Sequence, residues 1–325
     1  MKFPRRRFLH LAASAAALPA VPRFAMGQGY PTRPVRIIVP TTAGGANDTV
    51  ARLIAQWLSE RLGQQFIVEN RPGGGNIIGT EAVVRAPADG HTLLLVNSAN
   101  TSNATLYDKR NFNFIRDIAP VAGIDREPYV VLVHPSVPAK TIPEFIAYAK
   151  ANPGKLNMAS AGNGTGTHVS GELFKMMTGI DMAHVPYRGG APVLTDLLAG
   201  QVQVYFGIPA SSLGHIGAGK LRALAVTSAS RSHALPDIPS ISEFVPGYEA
   251  SIFYGLGAPK NTPMEIIDSL NREVNAGLAD PKIKSWLVDQ GGVSLSGSPA
   301  DFAKLIANET EKWAKVIKFA GIRLE

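Results

Sequence analysis

The stretch that decides the fold is Arg36–Asp48, RIIVPTTAGGAND. Ile37, Ile38 and Val39 form a short β-branched apolar run closed by Pro40, which reads as a strand. Thr41, Thr42, Ala43, Gly44 and Gly45 then break the chain with small residues. Val50, Leu53, Ile54, Trp57 and Leu58 recur at helical spacing beyond them, with Asn47 or Asp48 available near the helix start. A strand, a small-residue loop and a helix N-terminus make an anion cradle. The loop lets backbone N–H groups approach a ligand closely, and the helix dipole favours negative charge. No catalytic side chain is needed, and the unit predicts one wall of a carboxylate-binding cleft.

The same pattern recurs outward from this stretch. A second strand at Gln65–Glu69 leads through the turn NRPGGG to a helix near Ile77–Arg85. A third strand, Thr92–Val96, ends in the polar cluster Asn97-Ser98-Ala99-Asn100-Thr101. Alternating strands and helices predict a parallel, doubly wound sheet. Tyr107–Gly123 is less regular. From Tyr129 the pattern restarts, with strands at Tyr129–Val133, Leu156–Ser160, Met182–Pro186, Val202–Phe206 and Leu221–Val226. Thr141-x-x-Glu144 reads as a capping box between the first two. After a Pro-rich passage and a strand at Ser251–Gly257 the chain is helical, with Thr262-x-x-Glu265 and Ser298 or Asp301 as helix starts. Two related α/β lobes are therefore expected: residues 30–127 with 250–325, and residues 128–249. The chain would cross between them twice, making a hinge with the ligand at the C-terminal ends of strands.

Charge and composition narrow the function. The +7 formal charge is suggestive of nucleic acid until it is located. Lys2, Arg5, Arg6, Arg7 and Arg23 lie in an N-terminal segment without acids, and removing them leaves +2. Nucleic-acid binding thus loses its main support. Three arginines, an Ala/Leu-rich run from Leu11 to Ala20 and the small-x-small Ala25-Met26-Gly27 read as an export signal over residues 1–27, cleaved near Gly27. Arg5-Arg6 with Phe8-Leu9 resembles a twin-arginine motif, while Pro4 and His10 depart from its usual flanks. The apolar run is too short to span a bilayer. The absence of cysteine removes disulfides and thiolate chemistry.

Catalytic motifs fail on inspection. Gly214–Lys220, GHIGAGK, has Leu221 where a phosphate loop needs Ser or Thr, and it precedes a strand. Asn70–Gly79, NRPGGGNIIG, follows the second strand and lacks the dinucleotide spacing, so it reads as a tight turn near the cleft mouth. His168, with Ser160 or Ser170 nearby, offers a general-base reading, but there is no G-x-S-x-G elbow and no evident orienting acid. The remaining histidines lack metal-ligand spacing. Four strand-to-helix loops, at Thr41–Gly45, Asn97–Thr101, Ala161–Thr167 and Tyr187–Gly190, instead carry small and hydroxyl residues suited to a donor-lined cleft.

The mature chain as a whole resembles the Bug family, the extracytoplasmic solute receptors of tripartite tricarboxylate transporters. The marks are YPTRPVRIIVP with AGGANDTVAR, VENRPGGGNIIGTEAVVRAPADGHTLL, the run from HPSVPAKTIPEF to AGNGTGTH, and HVPYRGGAPVLTDLLAGQVQVYF. GKLRALAVTSASRSHALPDIPSISEF and GLGAPKNTP complete the set. The resemblance implies a type II periplasmic-binding-protein fold of two α/β lobes closing on a small carboxylated solute. It implies no cofactor, no metal and no enzyme activity, and it implies a periplasmic monomer whose partners are a small organic acid and membrane transporter subunits. A sensor for a membrane regulator is the alternative, and a hydrolase using the His168 region a weaker one. Carried onto this chain, the ligand-binding positions are Thr41, Thr42, Ala43, Gly44 and Gly45 with Asp48 behind them, and Asn97 and Ser98. Ala161, Gly162, Asn163, Gly164, Thr165, Thr167 and His168 face them, while Pro186, Tyr187 and Gly207 shape the far end. Relatives commonly carry Phe, and often Pro, where this chain has Thr41 and Thr42. Many carry an acid where Gly207 stands, and its absence disfavours an amino-acid ligand.

Overall fold

The structure, a computed structural model, describes residues 29–106 and 111–323. The expected export signal lies outside the described residues. The chain begins with β1 (Val35–Val39), helix Ala46–Leu62, β2 (Phe66–Asn70), helix Ile77–Val84, β3 (Thr92–Asn97) and helix Ser98–Leu106. After a short helix, Phe114–Asp117, β4 (Ile118–Pro128) leads into β5 (Val130–Val133), helix Ile142–Ala151, β6 (Asn157–Ser160) and helix Gly166–Thr178. Next come β7 (Ala183–Pro186), helix Gly190–Leu198, β8 (Val204–Gly207), helix Leu213–Gly217 and β9 (Arg222–Val226). The chain returns through β10 (Ser251–Pro259) to helices Met264–Ala279 and Pro281–Asp289, β11 (Val293–Ser294) and helix Pro299–Ala320.

The strands form two sheets, ordered β11-β4-β10-β3-β1-β2 and β7-β6-β8-β5-β9. Each is the centre of one lobe, with apolar clusters on both faces. The two-lobe binding-protein fold expected from the sequence is what forms. The parallel reading holds for β2, β1 and β3, and for β7, β6 and β8. It fails where the chain crosses. β10 comes back in the opposite direction and pairs antiparallel with both β3 and β4, and β5 is antiparallel to β8 and β9. The irregular reading of residues 107–123 missed the start of β4. Pro120, Gly123 and the charged Asp125-Arg126-Glu127 disguise its alternation, and two register shifts interrupt its pairing with β10.

The two crossings are tied to each other by Thr227. Its hydroxyl accepts from the Tyr129 N–H at 2.7 Å and donates to the Ala250 carbonyl at 2.6 Å. Its own N–H donates to Tyr129, and its carbonyl accepts from Ala250, both at 2.9 Å. The last helix adds a third link. Phe302 and Ile306 pack on the first sheet, while Trp313, Val316 and Ile317 join the core of the second lobe. This differs from the expectation that residues 250–325 belong wholly to the first lobe. A helix of 22 residues is about 33 Å long, enough to reach across both. Ser298 caps it through a reciprocal bond pattern with Asp301. Thr262, in contrast, does not cap helix Met264–Ala279; its hydroxyl donates to the Pro259 carbonyl and Pro263 stands at the cap.

Arg126 on β4 bridges Glu249 at 2.9 Å and Glu309 of the last helix at 2.8 Å. Asp125 and Glu127 are both buried, and neither Asp125 side-chain oxygen has a hydrogen-bond partner among the described residues. Burial pushes both carboxyls well above the ordinary carboxylate range.

Candidate functional site

The C-terminal ends of β1, β3 and β6 point into a cavity of about 480 Å³ between the sheets. Each strand there gives way to a helix, so donors are supplied from both lobes at once. On the first-lobe side, Gly44 occupies the left-handed region at φ +82°, the position in this loop that requires glycine, while Gly45 is extended. The Gly44 N–H donates to Asp48 at 3.0 Å, and Arg52 donates to the same oxygen at 2.9 Å. The Arg52 guanidinium, helped by that N–H, holds the Asp48 carboxyl down at about 2. Asp48 thus braces the loop from behind, and its charge is met by Arg52.

Asn97 ends β3 and opens the next helix. Its Oδ1 accepts from the Ala99 N–H at 3.0 Å, and its own N–H donates to Asn100 at 2.9 Å. The polar cluster read as a loop is therefore the first turn of helix Ser98–Leu106. Gly73, Gly74, Gly75 and Asn76 have four successive positive φ angles, which bring Gly75 and Asn76 to the cavity wall. Asn103 donates to the Gly75 carbonyl and fixes that turn.

The second-lobe wall is braced by its own side chains. The Ala161 N–H donates to the Thr167 hydroxyl at 2.9 Å, and the Thr165 hydroxyl donates to the Gly162 carbonyl at 2.7 Å. His168 accepts the Gly164 N–H on Nδ1 at 3.1 Å, with Nε2 3.7 Å from Glu172. Its ring stacks on His184 at 3.5 Å between centroids. Ser160 bonds His184 at 2.7 Å, and Ser170 donates to the Gly166 carbonyl at 2.6 Å. Neither serine pairs with His168, which shapes the loop. Burial and the neighbouring His168 push His184 down to about 4.

Of the positions expected from sequence, Thr41, Asn97, Ser98, Ala161, Asn163, Gly164, Thr165 and Thr167 line the cavity. Thr42, Ala43, Gly44 and Gly45 are exposed and lie outside its lining, as do Asp48, Gly162 and His168 behind their loops. Pro186 is exposed on β7, and the Tyr187 hydroxyl donates to Asp196 at 2.7 Å. Gly207 is buried with the Tyr205 ring over its Cα, so a side chain there would displace that ring. These three lie outside the lining as well.

The sequence reading did not select Asn47, Asn76, Asn103, Tyr129, Gly166, Ile208 or Ile252, which also line it. Tyr129 and Ile252 arrive from the two crossing segments and Gly166 from the helix start; the crossing points were legible, their inward residues were not. Gly166 has no room for a Cβ, because the Tyr129 hydroxyl lies against it. Among the described residues, those lining the cavity include no Lys, Arg, His, Asp or Glu.

Residues 50–322 match the model of the tripartite tricarboxylate transporter family receptor. The chain is 38% identical over 290 residues to a protein from the tcbD–tcbE intergenic region of Pseudomonas sp. (strain P51), covering 89% of this chain and 86% of that one. It is 35% identical to the protein BugT of Bordetella pertussis, over 91% of this chain and 92% of the relative. Among solved structures, R. palustris Rpa4515 with adipate has a TM-score of 0.79 at 39% identity, covering 90% of this chain and 99% of that one. MatC from Rhodopseudomonas palustris with bound malate has a TM-score of 0.75 at 30% identity, covering 89% and 100%. The chain belongs to the tripartite tricarboxylate transporter receptor family, that of the Bug and TctC solute-binding proteins.

Proposed function

We propose that this protein is an exported periplasmic receptor. It captures a small organic acid between its lobes and delivers it to a tripartite tricarboxylate-type membrane transporter. The observation that carries the reading is the cavity wall itself: hydroxyls, amides and helix starts from both lobes, with no charged side chain among the described lining residues. Such a wall offers hydrogen-bond donors to an anion without the cation a phosphate clamp would supply. Tyr129, Ile208 and Ile252 add apolar surface for the body of the acid. The adipate and malate held by two relatives are acids of this kind. His168 has a structural use in the loop, which favours a receptor over a hydrolase.

The reading is tested by a thermal-shift screen of mono-, di- and tricarboxylates, aromatic acids included. A ligand that binds only the folded state raises the midpoint, by about 2.7 kcal/mol of stability at a hundredfold excess over Kd. At least one acid is expected to do so. A midpoint that moves with amines or sugars and with no acid contradicts the reading.

A further inference from the structure

We infer that Asn47 presents its side-chain NH2 to the ligand as a donor of fixed polarity, so that the first-lobe wall accepts a hydrogen-bond acceptor at that point. The proposal rests on the carboxylate reading and assigns it a residue. The amide orientations follow from an obligate donor. A backbone N–H can only donate, and Ala99 donates to Asn97 at 3.0 Å, so the Asn97 atom facing Ala99 is oxygen. Asn76 donates to that same oxygen at 2.8 Å. The other end of the Asn97 amide is therefore NH2, and it donates to Asn47 at 2.7 Å. The Asn47 atom facing it must accept, which makes it Oδ1 and leaves Nδ2 directed away from the chain of amides. Asn47 is half-buried on the cavity wall, and its Nδ2 has no protein acceptor among the described residues.

The surroundings reinforce that polarity. Asn47 lies in the first turn of helix Ala46–Leu62, where backbone N–H groups lack intrahelical partners. The adjacent carboxylate, Asp48, is already held by Gly44 and Arg52 behind the loop. Thr41 also lines the cavity, and its hydroxyl is buried without a partner among the described residues. A carboxylate answers this wall, because it only accepts; an ammonium group brings donors alone and meets a donor.

Asn47→Asp tests this by changing one atom group. The substituted side chain would keep an oxygen for Asn97 and put a second oxygen where Nδ2 stood. An acid in the first helical turn is favourable, so the fold should survive with an unchanged or higher midpoint. Binding of adipate, malate and the best acid of the screen is measured by calorimetry in both proteins. The expected result is at least about a hundredfold loss of acid affinity in Asn47→Asp, from an unpaired charge facing the ligand. Wild-type binding with an unchanged affinity in a folded Asn47→Asp variant overturns the role of Asn47 and leaves the receptor reading standing. If the wild type binds no carboxylic acid, both fall together. Asn47→Ser, which retains a donor, should recover part of the loss.

Discussion

The two walls of the cleft are built from the same parts and hold them differently. In the second lobe, side chains brace the loop from within: the Ala161 N–H donates to Thr167, the Gly164 N–H to His168, and the Thr165 hydroxyl to Gly162. In the first lobe, the Thr41 hydroxyl is buried with no partner, and the Asn47 NH2 has no protein acceptor, among the described residues. The hydroxyl and imidazole groups of one wall are engaged within their own loop; the other wall carries side-chain polar groups without a protein partner among the described residues. The comparison separates residues that stabilise the fold from residues that stabilise the complex.

Substitutions sharpen that division. The largest effect is expected at the junction of the second wall with the hinge. Gly166→Ala would drive a methyl into the buried Tyr129 hydroxyl and should cost about 3 kcal/mol in denaturant unfolding. Tyr129→Phe in the same chain should recover part of it, and a Gly166→Ala protein as stable as wild type would refute the contact. Next, Thr167→Val leaves the Ala161 N–H without its acceptor and should cost about 1–2 kcal/mol with no ligand present. Thr41→Val is expected to do the reverse. It removes an unpartnered hydroxyl, so ligand-free stability should stay level or rise by up to about 1 kcal/mol, while acid affinity falls roughly tenfold. Equal ligand-free costs at the two threonines would erase the distinction between the walls.

The hinge adds a pH dependence whose sign is fixed. Asp125 and Glu127 have raised pKa values in the folded state, so the folded protein holds protons that the unfolded chain releases. Stability from this pair is present at low pH and falls as pH rises from the ordinary carboxylate range, about 4, through the raised values. Asp48, with a lowered pKa, acts oppositely: its contribution is present above that range and is lost as pH falls toward 2. His184, held down at about 4, adds stability as pH rises from there toward its ordinary value. The loss from the pair should therefore show as a falling alkaline limb of the thermal midpoint, which Asp125→Asn should flatten. A limb of unchanged slope would remove Asp125 from the account.

Much of this was legible from residue patterns. RIIVPTTAGGAND announced β1, the loop and helix Ala46–Leu62, because apolar period and small-residue breaks are local signals. The two crossings, placed by the lobe bounds near residues 127–128 and 249–250, were legible for the same reason. What stayed hidden depends on distant parts of the chain. The antiparallel entry of β10 follows from the return path, and the Asn76–Asn97–Asn47 chain joins residues from three separate segments. Thr41 was among the expected binding positions, and the structure places that residue on the cavity wall with its hydroxyl buried. Thr42 was paired with it, yet it is exposed outside the lining. Adjacent residues on an irregular loop do not share a direction.

The central claim is that the cleft closes on a small organic acid through donors left free in the first lobe. Calorimetric titration of the wild type and of Thr41→Val with adipate, malate and the leading acid of the screen tests it most directly. The account predicts saturable one-to-one binding of at least one acid, weakened in Thr41→Val although that variant is no less stable. Acid binding of equal strength in both proteins, or no acid binding where a neutral solute or an amine binds, would contradict it.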